Sequence, residues 1–153
     1  MDTPKFTYVS YIRTTPEKLW TALTSGDATQ QYWWGRRIES AWQKGSPLKL
    51  TMENGEIDVH GEIVHVEKSK MLSYTFSTNC AEEYGKEAPS RVTFQIEPQN
   101  ANIIKLTVTH DAFEPGSKVY EGICEGWPGI LSGLKSVVET GVGIFNGTDG
   151  MTQ

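Results

Sequence analysis

The chain has 153 residues, 37% of them hydrophobic and 22% charged, with a formal net charge of −5. That length is most economically one domain with a substantial core, and the acidic balance argues against non-specific binding to nucleic acid or to an anionic membrane, which wants a basic face. No run approaches the roughly 20 apolar residues of a membrane span, and the opening MDTPKFTYVS lacks the apolar stretch of a secretory signal.

In chain order, KFTYVSYIR (5–13) alternates and reads as a strand with apolar groups on both faces. TTPEKLWTALT follows with a helix start: Thr15 as N-cap, Pro16 at the first helical position and Glu17 early in the turn. Leu19, Trp20 and Leu23 form its apolar stripe. GDATQQYWWG predicts a second short helix, capped by Asp27 and stopped by Gly35.

From residue 38 to residue 113 the period becomes two. ESAWQKGSPLKLTME reads as two strands around the turn KGSP. GEIDVHGEIVHVEKSKMLSYTFS reads as a long strand, a turn at EKSK and another strand, and SRVTFQIEPQNANIIKLTVTHDAF as a hairpin turning at PQNAN. Leu72, Tyr74 and Phe76 share a face, as do Val92, Phe94 and Ile96, and Leu106, Val108 and His110. The sheet is expected to be antiparallel, with one apolar and one polar face.

The C-terminal segment must cover the apolar face. At about 100° per residue, Trp127, Leu131, Leu134, Val138 and Phe145 fall in one sector, widened by Ile130, Val137 and Gly141; Lys135, Ser136 and Glu139 lie opposite. A long helix from near Ser117, kinked at Pro128 and ended by Gly141 and Gly143, is expected, with 146–153 as a frayed tail. No linker, repeat or charge block divides the chain, so 1–153 is read as a single domain.

The motifs TPEKLWTALT, QQYWWG, GEIVHVEKSKMLSYTF, RVTFQIEP, KLTVTHDAF and above all GWPGILSGLKSVVETG span nearly the whole chain. Together they resemble the SRPBCC superfamily, which includes START domains and the birch-pollen allergen. More narrowly, they are similar to homologues of the activator of heat-shock-protein-ninety ATPase. The resemblance implies an α+β helix-grip fold: a curved antiparallel β-sheet wrapped around one long C-terminal helix, with two short helices after the first strand. It also implies an apolar cavity between sheet and helix, with Gly126, Gly129 and Gly133 permitting close or bent packing near its mouth. The candidate lining is Tyr32, Trp33, Trp42, Met52, Tyr74, Phe76, Phe94, His110, Trp127, Ile130, Leu131 and Leu134.

The residues offer little obvious chemistry. His60 and His65 should face opposite sides of their strand unless a bulge intervenes, so no shared metal is expected. His110 should point inward, either satisfied by neighbours or serving as a polar handle for a ligand. Glu53, Glu56, Asp58 and Glu62 read as the solvated face of strands. Arg36 and Arg37 read either as surface charges or as groups at the cavity entrance that meet an anion. No nucleophile elbow, phosphate loop or cofactor motif is present.

Cys80 and Cys124 are expected as free thiols in a reducing cytoplasm, and NGT at 146–148 would be glycosylated only in a secretory compartment. The leading expectation is therefore a binding or carrier protein for a small apolar molecule, monomeric or homodimeric, without metal or cofactor. A cyclase or hydrolase using His110, Tyr74 or a carboxylate for proton transfer is the alternative. A chaperone regulator comes third, because the eukaryotic activators carry a further N-terminal domain and this chain enters its first strand by about residue 5.

Overall fold

A computed structural model describes residues 4–79 and 84–144, which leaves Cys80, Phe145 and the tail 146–153 outside the described part. The elements run β1 (Phe6–Arg13), α1 (Pro16–Thr24), α2 (Gly26–Tyr32), β2 (Arg37–Ser40), β3 (Pro47–Thr51), β4 (Ile57–Glu67), β5 (Met71–Thr78), a 3-10 turn (Tyr84–Lys86), β6 (Ser90–Pro98), β7 (Ile103–Asp111) and α3 (Lys118–Thr140). The seven strands form one antiparallel sheet in the order β1-β7-β6-β5-β4-β3-β2. β1 and β2 lie at opposite edges, so α1 and α2 carry the chain across the apolar face on which α3 also packs. This is the helix-grip arrangement.

Thr15 caps α1 by accepting the Lys18 amide at 3.2 Å. The cap of α2 is Ser25, not Asp27. The Ser25 amide closes α1 by donating to the Thr21 carbonyl at 2.9 Å, while its hydroxyl accepts the Ala28 amide at 3.4 Å, so one residue ends a helix and starts the next. That leaves Asp27 in the first turn, where a carboxylate suits the helix dipole, paired with Arg37 at 2.7 Å. The chain then reverses through Trp34 at φ 49° and Gly35 at φ 79°. Left-handed backbone at a tryptophan costs about 1 kcal/mol or more. Buried Thr29 holds the reversal in place: its hydroxyl accepts the Ile38 amide and lies 3.0 Å from the Arg36 carbonyl.

The period-two faces are as expected. Tyr74 pairs with Val92 and Leu72 with Phe94 across β5 and β6, and Val92 meets His110 and Phe94 meets Val108 across β6 and β7. All of them are buried. Two irregularities in β4 alter the expected facing of its side chains. Leu50 pairs with Val59 but Thr51 with Ile57, which makes Asp58 the extra residue of a bulge. A second shift lies between Ile63 and His65, and with it both His60 and His65 are exposed rather than on opposite faces. Gly61 is required between them, since a Cβ there would lie 1.8 Å from the Thr75 carbonyl oxygen.

α3 is continuous from Lys118 to Thr140 with Pro128 inside it, and it ends on left-handed Gly141 at φ 85°. Its N-terminus is capped by Ser117, whose hydroxyl oxygen accepts the Tyr120 amide at 3.0 Å, and again from another segment. Glu87 accepts the Ser117 hydroxyl at 2.5 Å and the Lys118 and Val119 amides at 2.7 and 3.2 Å. At the other end, the polar residues read as a solvent face instead tie the helix to the free edge of β1. Lys135 donates to the Tyr11 carbonyl, and Glu139 accepts the Arg13 amide at 2.8 Å. Partial burial opposes ionisation of Glu139, but the Arg13 amide and Lys135 together hold its carboxyl below its ordinary value.

Candidate functional site

The two halves of α3 do different work. The C-terminal half packs solidly, with Leu131 and Leu134 buried. Gly133 lies against α2, where a Cβ would sit 3.0 Å from the Tyr32 Cβ, so this glycine permits a close helix contact as expected, but away from the cavity lining. Beneath the N-terminal half lies a partly open cavity of about 340 Å³, near the lower end of the range typical of ligand pockets. Val119, Ile123, Gly126 and Ile130 line it and fall within a sector of about 60° at 100° per residue. Trp33, Val59 and Phe76 supply the facing apolar wall.

Trp127 closes the inner end. Its indole packs edge-on against Trp33 at 5.2 Å and Phe94 at 6.0 Å between ring centroids. Its Nε1–H donates to His110 Nδ1 at 3.0 Å. Because an indole nitrogen only donates, Nδ1 must be the unprotonated nitrogen, and the proton sits on Nε2, 2.7 Å from the Ser90 hydroxyl oxygen. The Ser90 hydroxyl in turn donates a hydrogen bond to the Phe76 carbonyl at 3.2 Å. Every member is satisfied and buried, and burial lowers the His110 pKa to about 3. Both ring nitrogens are committed inside the protein, which leaves the imidazole no hydrogen bond to offer a ligand.

The polar end of the cavity is Asp58, which the bulge turns inward. Only 7% of it is exposed, against the expectation of a solvated strand carboxylate. Arg36 Nε donates to one oxygen at 2.9 Å and the Thr78 hydroxyl to the other at 2.9 Å. Arg36 is anchored in turn by the Trp34 carbonyl at 2.8 Å. Arg36 therefore serves a buried pair at the cavity, whereas Arg37 is a surface charge paired with Asp27 and Gln30.

Of the twelve residues singled out from the sequence, Trp33, Phe76, Trp127 and Ile130 line this cavity. Tyr74, Phe94, Leu131, Leu134 and His110 belong to the packed layer behind or beside it, and Tyr32 spends its hydroxyl on the Ala22 carbonyl at 2.7 Å. Burial raises the pKa of both tyrosine hydroxyls, Tyr32 and Tyr74. Trp42, at φ 58°, and Met52 sit half-buried in the turns at either end of β3. The sequence reading missed Asp58 and Thr78, and also Val119 and Ile123, which the apolar spacing of GWPGILSGLKSVVETG excluded by starting at Gly126. Extending the same stripe back to the Ser117 cap would have found the last two. Among the described residues no group of three or more His, Cys, Asp or Glu could hold a metal ion, and no helix is long and apolar enough to cross a membrane.

No curated protein matches the chain. Among solved structures, it is similar to protein MLL2253 of Mesorhizobium loti, with 25% identity, a TM-score of 0.73, and coverage of 88% of this chain and 96% of that one. It is likewise similar to an Aha1 dimer from Colwellia psychrerythraea (22% identity, TM-score 0.72, 92% of this chain and 99% of that one). A third is an HSP90 activator from Plasmodium falciparum (19% identity, TM-score 0.72, 87% and 94%). The profile described as Activator of Hsp90 ATPase homolog 1-like protein matches residues 13–139, from the end of β1 almost to the end of α3. The chain thus belongs to the family of Activator of Hsp90 ATPase homolog 1-like proteins.

Proposed function

We propose that the protein binds a compact apolar molecule in the cavity beneath the N-terminal half of α3. The observation that carries this reading is Gly126. A glycine inside a helix costs about 1 kcal/mol relative to alanine, yet this one sits mid-helix, on the cavity wall, with nothing within 4 Å of where its Cβ would be. A side chain there would strengthen the helix and occupy the cavity. The test is uptake of the neutral dye N-phenyl-1-naphthylamine by wild type and by Gly126→Leu. Loss of uptake without loss of thermal stability supports the reading, and equal uptake by both proteins refutes it.

Regulation of a chaperone ATPase is a second reading. The family description and the similarity to the Plasmodium HSP90 activator favour it, and absence of binding to an Hsp90 chaperone in a pull-down removes it. A cyclase or hydrolase would need a proton-transfer group in the cavity. With His110 committed and Tyr74 off the wall, that role falls to a wall carboxylate, Asp58 or Glu125.

A further inference from the structure

The charge of the cavity wall narrows the class of ligand, an inference that rests on the binding reading above. We infer that the ligand of this cavity is a compact apolar molecule bearing a hydrogen-bond donor, a hydroxyl or an amine, and that it is not a carboxylic or other acid. Among the described lining residues the charged groups are two carboxylates, buried Asp58 and exposed Glu125, and none is a lysine, arginine or histidine. Arg36 stands behind Asp58 and is already directed to that carboxylate and to the Trp34 carbonyl. His110 is sealed behind Trp127 with both nitrogens used. An anionic headgroup would therefore leave water for a site whose nearby cation, Arg36, is already paired with Asp58 and whose rim carries the further carboxylate Glu125, which is costly in a half-buried setting.

A donor meets the opposite situation. An ionised carboxylate has about four lone-pair sites, and Asp58 uses one on each oxygen, for Arg36 and for Thr78. The acceptor capacity that remains belongs to a residue on the cavity wall, fixed in position by an ion pair and a hydroxyl. A ligand hydroxyl or N–H placed there makes a charge-assisted hydrogen bond while its ring or chain lies against Trp33, Phe76 and Ile130. The roughly 340 Å³ of space suits one or two fused rings or a short chain.

Three probes of nearly the same shape separate the possibilities at neutral pH: 2-naphthol, which donates; 2-methoxynaphthalene, which only accepts; and 2-naphthoate, which is anionic. Titrations followed by tryptophan fluorescence should place 2-naphthol about tenfold tighter than its methyl ether, with 2-naphthoate weakest. Asp58→Asn should shrink the naphthol preference and relieve the exclusion of naphthoate, with Glu125→Gln relieving that exclusion in part. The wild-type series stands by itself if Asp58→Asn fails to fold. Naphthoate binding as tightly as naphthol, or the ether matching naphthol, overturns the inference while leaving the binding reading intact. Binding of none of the three, together with no uptake of the neutral dye, overturns both.

Discussion

Trp127 Nε1 lies 3.0 Å from His110 Nδ1, an obligate donor facing the one nitrogen of the ring that must then be an acceptor. The contact joins the middle of α3 to β7 and fixes the tautomer of a fully buried imidazole. It predicts that nitrogen NMR will find His110 neutral with its proton on Nε2 at pH 7, and still neutral near pH 5. The pH dependence of stability follows. The unfolded chain protonates this ring near pH 6.5, whereas the folded one resists until about pH 3. Between those values the unfolded state holds the extra proton, so stability falls as pH falls through the window, in total by an amount on the order of a few kcal/mol. Denaturant titrations from pH 7 to pH 4 should show this slope, and His110→Gln should flatten it.

Trp127 is a structural member as well as a wall. Trp127→Phe keeps the ring but leaves the buried His110 Nδ1 unpaired, for which a loss of about 1–3 kcal/mol is expected. Trp127→Ala should cost about 3–5 kcal/mol. Urea unfolding of both variants checks this. A Trp127→Phe protein as stable as wild type would mean that the hydrogen bond contributes little.

Two of the α3 glycines, Gly126 and Gly133, should respond in opposite directions to alanine. Gly133→Ala pushes a methyl to 3.0 Å from the Tyr32 Cβ and should destabilise by about 1–3 kcal/mol. Gly126→Ala meets nothing and should stabilise by up to about 1 kcal/mol. Melting curves of the pair decide it.

Glu87 caps α3 from thirty residues away, taking a hydroxyl and two amides of the first turn. Glu87→Ala should lose about 1–2 kcal/mol, with faster amide exchange at Lys118 and Val119. Unchanged exchange at those amides would show that the Ser117 cap suffices.

The alternation in β5, β6 and β7 exposed the sheet's core face because those strands pair in regular register, so that parity in the sequence is parity in space. The same logic failed in β4. Asp58 sits between Ile57 and Val59 and looks like one more outward carboxylate, but the extra residue against Thr51 rotates it inward, and Arg36 and Thr78 receive it from elements distant in sequence. Nothing local marks a bulge whose partners are remote. Gly126 and Gly133 likewise look alike in sequence, and only the position of α2 separates an open space from a tight contact. The fold was legible because it rests on periodicity. The polar end of the cavity was not, because it rests on register.

The most direct test of the cavity as a binding site is a heteronuclear NMR titration of wild-type protein with 2-naphthol. Binding there predicts saturable shifts concentrated at Val59, Phe76, Ile123, Gly126, the Trp127 indole N–H and Ile130, with contacts from the probe protons to Trp33. Shifts that are absent, or that scatter over the outer face of the sheet while these signals stay fixed, would contradict the account.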